Sequence, residues 1–195
     1  MSSATQRSPT RVSLSSLTPN NLGTVRKLNS VLFPIKYSEK FYQDILLPEV
    51  EDFCKLSASM SSLLRTVRQF HSASQFIAVY YNDVPVGTIC CRMETRDGQS
   101  KLYLMTMGIL APYRSRGLGS KALQQVIEAA ASHSKPKISS IYLHVQISND
   151  SAKSFYERQD FREVGVHQGY YKKIVPRDAW ILERAIEDVE SSEQR

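Results

Sequence analysis

The spacing of apolar residues predicts two helices near the beginning of the chain. The first is expected to start at Thr18, whose hydroxyl can cap it, with Pro19 at its first position. Its apolar residues recur three or four positions apart: Leu22, Val25, Leu28 and Leu32. After a break at Pro34, a second and shorter helix can be capped by Ser38 and is stopped by Pro48.

Later segments of the chain have the composition of β-strands and are bounded by turn residues. They cover residues 75–81, 84–93, 101–110, 140–147, 161–167, 170–175 and 179–186. Helices are predicted over about 118–133 and 150–159, the second capped by Ser148 or Asn149. Strands whose connecting helices return to the same sheet predict an α/β fold, a single domain with a mixed central sheet flanked by helices.

This domain is predicted to cover residues 12–186, with a flexible tail at residues 1–11 and an acidic tail at residues 187–195. Residues 49–75 are rich in serine, yet their apolar residues also fall three or four apart. That spacing favours at least one amphipathic helix over a disordered linker, and we interpret the segment as an insertion.

The formal net charge of the chain is +6, and the positive charge is concentrated in its middle. Residues 101–140 hold six basic residues and one acidic residue, whereas residues 177–195 hold three basic and six acidic residues. Such a basic region suits phosphate groups on a cofactor or a nucleic acid, although a solvated basic surface explains the charge equally well. No apolar run in the sequence approaches the roughly 18–20 residues of a membrane span.

The three cysteines, Cys54, Cys90 and Cys91, are too few for a disulfide framework or a zinc cluster. Successive residues of a strand point to opposite faces, so Cys90 and Cys91 are expected on opposite sides of the sheet. We interpret all three as reduced core residues of an intracellular protein, and we expect no metal site.

The stretch "YRSRGLGSKAL", residues 113–123, has the features of an anion-binding loop that leads into a helix. It lacks the first glycine of a Walker loop. A dinucleotide-binding loop is disfavoured because Pro112 and four further residues separate the preceding strand from the glycines, and no acid ends the next strand.

A third pattern fits this stretch. In it, an arginine or glutamine is followed three positions later by a glycine, and that glycine is followed two positions later by a glycine or alanine. Arg114, Gly117 and Gly119 meet this pattern. Glycines there let the backbone N–H groups at a helix start approach a pyrophosphate closely.

Two neighbouring strands present residues that could line a groove. Tyr142, His144 and Gln146 form a polar face of a strand whose other face is wholly apolar, which indicates a wet groove rather than a two-sided core. On the preceding strand, one face is expected to carry Tyr103, Met105, Met107 and Ile109. From the residues alone, a hydrogen-bonded core histidine and ordinary core packing explain these positions as well.

The sequence resembles the GCN5-related N-acetyltransferases (GNAT), and within them the NatE-type N-terminal acetyltransferases, over roughly residues 12–186. The similar blocks are "LNSVLFPIKYSEKFY", "LYLMTMGILAPYRSRGLG", "IYLHVQISNDSAKSFY" and "GYYKKIVP". Two departures stand out. Ser115 replaces a second arginine of the family, so that its phosphate contact is lost or moves to Arg116, and the stretch of about 25 residues after Leu47 has no counterpart.

The resemblance implies acetyl-CoA as the cofactor and assigns the site residues. The catalytic pair would be His144 as the base and Tyr103 as the second group, acting through a water or by positioning. Tyr156 would donate to the departing thiolate. The residues expected to bind the cofactor are Met107, Ile109, Arg114, Ser115, Arg116, Gly117, Leu118, Gly119, Ser120, Asn149, Ser151 and Tyr156. Those expected to bind the substrate are Phe33, Pro34, Ile35, Tyr37, Met105, Tyr170 and Tyr171.

The resemblance further implies acetylation of the α-amino group of nascent proteins that keep their initiator Met before a hydrophobic residue. A histidine base suits an α-amine, with a pKa near 7.7–8.0, better than a lysine near 10.4, but it does not exclude lysine. The alternatives are an enzyme acting on lysine or a small amine, and an inactive CoA-binding scaffold.

We expect nascent N-termini as partners, with a larger ribosome-associated acetyltransferase complex as a further candidate partner. We expect no membrane and no specific nucleic acid. The expected location is the cytoplasm, with the nucleus as a second candidate.

Overall fold

The computed structural model of the protein describes residues 11–34, 36–45 and 75–186. The predicted tails, Ile35, Cys54 and the predicted insertion lie outside this part, apart from Arg11 and Gln75 at their inner edges. None of the helices within the described ranges is long and apolar enough to cross a membrane.

The described residues form one seven-stranded sheet in the order β1-β2-β3-β4-β5-β7-β6. Its strands are β1 (Val12–Ser16), β2 (Gln75–Tyr81), β3 (Val84–Arg96), β4 (Gln99–Ile109), β5 (Ile138–Gln146), β6 (Arg162–His167) and β7 (Ala179–Ala185). Neighbouring strands are antiparallel except β4 and β5, which are parallel and are joined through a helix. The predicted mixed α/β sheet is therefore confirmed, and β1 is a strand that the sequence did not reveal.

Four α-helices within these ranges flank this sheet. They are α1 (Leu22–Leu32), α2 (Glu39–Ile45), α3 (Leu118–Ala131) and α4 (Asp150–Glu157). The expected cap of α2 is present, because the N–H of Phe41 donates to Oγ of Ser38. The expected cap of α4 is Asn149, whose side chain accepts from the N–H of Ala152 at 3.1 Å.

The predicted start of α1 at Thr18 and Pro19 is wrong, since the helix begins at Leu22. The N–H of Thr18 donates to the side chain of Asn21, and the carbonyl of Thr18 accepts from the N–H groups of Asn21 and Leu22. These bonds form a turn in which Pro19 precedes the helix.

The predicted strand at residues 170–175 is also wrong, because this stretch lies in the loop between β6 and β7. Two bonds bring the loop back onto itself: the N–H of Tyr171 donates to the carbonyl of Arg177, and the N–H of Gly169 donates to the carboxylate of Asp178. The N–H of Tyr171 is therefore bonded within the loop and not in a ladder.

The apolar core lies on both faces of the sheet. Cys91 packs with α3 and α4, among Leu102, Leu123 and Leu143, whereas Cys90 packs on the opposite face against Val25 of α1. The expected placement of the two cysteines on opposite sides is thus confirmed, and both thiols are buried and free.

A bulge between β3 and β4 changes which residues of β4 share a face. Cys90 pairs with Thr106 and Cys91 pairs with Leu104, so Met105 is the extra residue. Met105 packs on the α1 side, while Met107 packs on the α3 side. The prediction that Tyr103, Met105, Met107 and Ile109 share one face is therefore wrong.

Candidate active site

The centre of the sheet is open where β4 and β5 separate. Their pairing ends at Tyr103 and Tyr142, although β4 continues to Ile109 and β5 to Gln146. The N–H of Leu110 donates to β3, so by alternation the peptide groups of Met107 and Ile109 point away from β3 toward the opening. This opening offers backbone donors and acceptors to an extended ligand.

A glycine loop at residues 114–119 lies at the end of β4 and leads into α3. Gly117 has φ of +73° and would meet no heavy atom within 4 Å if it carried a Cβ, so the space beside it is open. No side chain caps α3, which leaves the N–H groups of Leu118, Gly119 and Ser120 available at its N-terminus. Uncapped N–H groups beside open space form a binding site for an anion.

The second glycine of the loop has a packing role. A Cβ on Gly119 would lie 3.3 Å from Cε of Met107 and 3.5 Å from the ring of Phe155. Gly119 therefore lets the first turn of α3 pack closely on β4 and α4. Ser115 also has a positive φ of 59°, which tightens the loop further.

The two arginines of the loop point in different directions. Nε of Arg114 donates to the carbonyl of Ile109 at 2.9 Å, which places this guanidinium at the opening. Arg116 donates to the hydroxyl of Tyr81 and lies over the rings of Tyr81 and Tyr113, at 5.3 and 5.9 Å. Arg116, the candidate to take over the phosphate contact missing at Ser115, thus lies on the β2 side of the loop.

His144 lies beside the opening within a cluster of aromatic rings. Its ring stacks on Tyr170, with centroids 4.2 Å apart and planes 8° apart. The edges of Tyr103, Tyr142 and His167 face it at 5.6, 6.1 and 5.4 Å. The predicted polar face of β5 is therefore half-buried against these rings, while Leu143 and Val145 are buried on the other side.

The imidazole of His144 is set up as a neutral base. Its Nδ1 is buried and has no hydrogen-bond partner among the described residues. Burial lowers the pKa of His144, and His167 lowers it further, while Glu94 acts in the opposite direction. The ring is therefore unprotonated and can accept a proton at neutral pH.

Tyr103 is set up as a hydrogen-bond donor. Its hydroxyl lies 2.5 Å from the hydroxyl of Tyr170. Burial and this hydrogen bond raise the pKa of Tyr103, so the phenol keeps its proton. This agrees with the expectation that Tyr103 positions groups rather than acting as a base.

The ring of Tyr103 is held by three residues that the sequence analysis missed in this role. Tyr142 stacks on it at 4.8 Å, and Arg92 lies over it at 5.6 Å. Glu94 accepts from both Tyr142, at 2.5 Å, and Arg92. Arg92 and Glu94 are two positions apart on a strand and so share a face of the sheet. This spacing was the signal in the sequence that could have indicated their pairing.

Tyr156 lies on the other face of the sheet. It is buried on α4, in the same core as Cys91 and Leu143. Burial raises the pKa of Tyr156, as do Cys91 and Tyr171, so its phenol stays protonated and can donate. Asn149 caps this helix, and Ser151 is exposed in its first turn.

Aromatic residues between α1 and α2 form an apolar wall on the His144 side of the sheet. Tyr37 stacks on Phe41 at 4.6 Å and meets Phe33 edge-on at 6.1 Å. A Cβ on Gly108 would lie 3.1 Å from the ring of Phe33, so this glycine lets the wall rest on β4. Pro34 is exposed beside the wall. The contributions of Phe41 and Gly108 to the wall were not predicted from the sequence.

Tyr37 of the wall interacts electrostatically with tyrosines of the β6–β7 loop. Burial raises the pKa of Tyr37, and Cys90, Tyr42, Tyr170 and Tyr171 raise it further. Tyr171 also forms a hydrogen bond with the backbone of Gln146 at the edge of the opening. Among the predicted substrate residues, Phe33, Tyr37, Met105 and Tyr170 thus lie on the His144 side of the sheet.

Comparisons with known proteins agree with this geometry. A model of the acetyltransferase (GNAT) family matches residues 36–161. N-alpha-acetyltransferase 50 of Danio rerio is 38% identical over 176 residues, or 90% of this chain and 89% of that protein. The probable N-acetyltransferase san of Drosophila melanogaster is 35% identical over 175 residues, or 90% of this chain and 81% of that protein. The structure of Arabidopsis thaliana Naa50 in complex with the bisubstrate analogue CoA-Ac-MVNAL gives a TM-score of 0.67 at 35% identity, covering 89% of this chain and 97% of that one.

Proposed function

The chain belongs to the acetyltransferase (GNAT) family, and we propose that it transfers the acetyl group of acetyl-CoA to the free α-amino group of proteins. The family resemblance read from the sequence is confirmed by these matches. The observation that carries the proposal is the opening between β4 and β5, which connects two different surfaces. The glycine loop and Tyr156 lie on one face, and His144 and the aromatic wall lie on the other.

The residues around the glycine loop fit acetyl-CoA. The uncapped N–H groups of α3 and the open space beside Gly117 suit its pyrophosphate, with the Arg114 guanidinium nearby. The peptide groups of Met107 and Ile109 suit the amides of its pantetheine arm. When bound, acetyl-CoA supplies an acetyl thioester that an amine can attack directly.

The chain's own residues handle the protons of this transfer. His144 accepts the proton that the α-ammonium group must lose before its nitrogen can attack. Tyr103 keeps its proton and orients the groups around His144, while Tyr156 can donate to the leaving sulfur from the other face.

A cysteine intermediate is disfavoured by the state of the two described thiols. Burial raises the pKa of Cys91 to about 12 and also raises the pKa of Cys90. A thiol that stays protonated is a poor nucleophile. Direct transfer to the amine therefore fits the site better than transfer through an acyl-cysteine.

An α-amine fits this base better than a lysine side chain. Deprotonating an α-amino group is about 3–4 kcal/mol easier than deprotonating lysine at a given pH. Two peptides test this preference. One has a free N-terminus, and the other has the same sequence with a blocked N-terminus and one internal lysine. The rate of acetyl transfer is measured for each. Comparable rates for the two peptides would favour the lysine-directed alternative.

The apolar wall predicts which N-termini are preferred. Peptides beginning Met-Leu, Met-Ile or Met-Phe should be acetylated with a kcat/KM roughly ten- to hundredfold above Met-Asp or Met-Lys, because burying a large apolar side chain is worth roughly 1.5–3 kcal/mol. Steady-state kinetics on such a peptide series measures the preference.

A substitution in the apolar wall tests whether the wall causes this preference. Phe33→Ala should reduce the preference for hydrophobic residues while CoA affinity, measured by calorimetry, stays unchanged. Equal use of Met-Asp and Met-Leu by the unaltered protein would contradict the assignment of this wall.

We also propose the cytoplasm as the location, with the nucleus as a second candidate, and nascent chains as the protein substrates. Free, buried thiols at Cys90 and Cys91 support a reducing compartment. The net charge of +6 suits association with an anionic particle such as the ribosome, directly or within a larger acetyltransferase complex. Co-sedimentation with ribosomes that is lost as the salt concentration rises would support this association.

A further inference from the structure

A second histidine contacts the proposed base. His167 is the last residue of β6 and is exposed, and its ring lies 5.4 Å from the ring of His144. It also meets Tyr170 edge-on at 5.3 Å, so the two histidines and Tyr170 form one ring cluster. The proposed mechanism gives His167 no role.

The other described groups around His144 are phenols or belong to one ion pair. Tyr103 on β4, Tyr142 on β5 and Tyr170 on the β6–β7 loop are phenols without positive charge. On β3, the carboxylate of Glu94 favours a proton on His144. Arg92 and Tyr142 both donate hydrogen bonds to this carboxylate, which offsets its negative charge. Among the rings that contact His144, His167 is the one that can become a cation.

We propose that His167 is a positioning residue that keeps His144 unprotonated in mildly acidic solution by charge repulsion across this ring contact. The inference rests on the proposed function, which makes His144 the base. A proton on the exposed ring of His167 disfavours a second proton on the half-buried ring beside it. His144 then stays competent as a base at a lower pH than it would alone.

The sign of the effect follows from this repulsion. A neutral residue at position 167 should raise the pKa of His144, so His144 becomes protonated at a higher pH. The acidic limb of the kcat profile, measured at saturating peptide, should then move to higher pH. A lysine at position 167 keeps a positive charge there, so it should hold the pKa of His144 at or below its value in the unaltered protein.

The direct test is a titration of His144 by NMR of the imidazole carbon-bound protons. The chain has four histidines, and a His144→Gln variant identifies the signal. We expect His167→Gln and His167→Phe to raise the pKa of His144 by about 0.5, the size expected for a unit charge at this distance screened by water. His167→Lys should not raise it, and Val166→Lys serves as the charge control, since neighbouring strand residues point to opposite faces.

The variants separate a charge effect from simple packing. His167→Phe keeps an aromatic ring against Tyr170 but cannot carry charge, so a His144 titration unchanged in His167→Phe and His167→Gln overturns the inference. An equal shift in Val166→Lys and His167→Lys also overturns it, because the effect would then come from net charge. A third outcome is that the pKa of His144 shifts in the neutral variants while the acidic limb of kcat stays in place. His167 would then act on the protonation of His144, but His144 would not be the catalytic base. That outcome overturns both the effect of His167 on catalysis and the assignment of the base in the proposed function.

Discussion

His144→Ala should lower the turnover number by roughly two to four orders of magnitude, the range that loss of a general base produces. The reason is the state of this imidazole, which is half-buried, has an Nδ1 without a hydrogen-bond partner in the described part of the chain, and has a pKa lowered by burial and by His167. Turnover measured by CoA release with a Met-Leu peptide would report the loss, and calorimetry should show that acetyl-CoA still binds.

The pH dependence of this variant distinguishes a base from a packing residue. Because an α-amino group loses its own proton near pH 7.7–8.0, the deficit of His144→Ala should narrow as the pH rises from 6 to 9. A loss that is the same at every pH would indicate that the ring only supports Tyr170. Turnover close to that of the unaltered protein over the whole range would identify His144 as a core residue.

The sequence was most informative where a function depends on a local pattern. The alternation of polar and apolar residues in β5 placed His144 on the groove side, and the structure agrees because this strand pairs regularly with β7. The glycine loop was equally local, since the positive φ of Gly117 and the uncapped start of α3 both follow from a few adjacent residues. Such features need no knowledge of distant contacts.

The arrangement of β4 could not be obtained in this way. The bulge at Met105 is a property of the pairing between β3 and β4, and nothing in either strand alone marks it. After the bulge the faces are exchanged, so Met107 supports the glycine loop while Met105 lies on the α1 side. The sequence therefore placed the side chain of Met107 on the wrong face.

Tertiary contacts also decided two other features. Residues 170–175 have the composition of a strand, but the bonds from Gly169 and Tyr171 to Asp178 and Arg177 form a loop that places Tyr170 on His144. The position of His167 depends on the same loop and on the pairing of β6 with β7. The contact between His167 and His144 joins β6 and β5, which are separated in the sheet by β7.

Gly117→Val should abolish measurable acetyl-CoA binding while the protein stays folded. Two effects act together at this position. A β-branched residue at φ of +73° is strained by about 1–3 kcal/mol, which displaces the N–H groups at the start of α3. The new side chain would also fill the open space in which a pyrophosphate must meet the backbone. Isothermal calorimetry with CoA measures the loss, and peptide acetylation should fall with it.

Gly98 offers a matched control for the strain. It has φ of +77° and equally open surroundings, but it lies in the turn between β3 and β4. Gly98→Val should therefore lower the free energy of unfolding by a similar amount and leave CoA affinity unchanged. If folded Gly117→Val binds CoA as tightly as Gly98→Val does, the backbone at Gly117 does not contact the cofactor. The anion site would then have to lie elsewhere along the opening, near the Arg114 guanidinium at the Ile109 carbonyl.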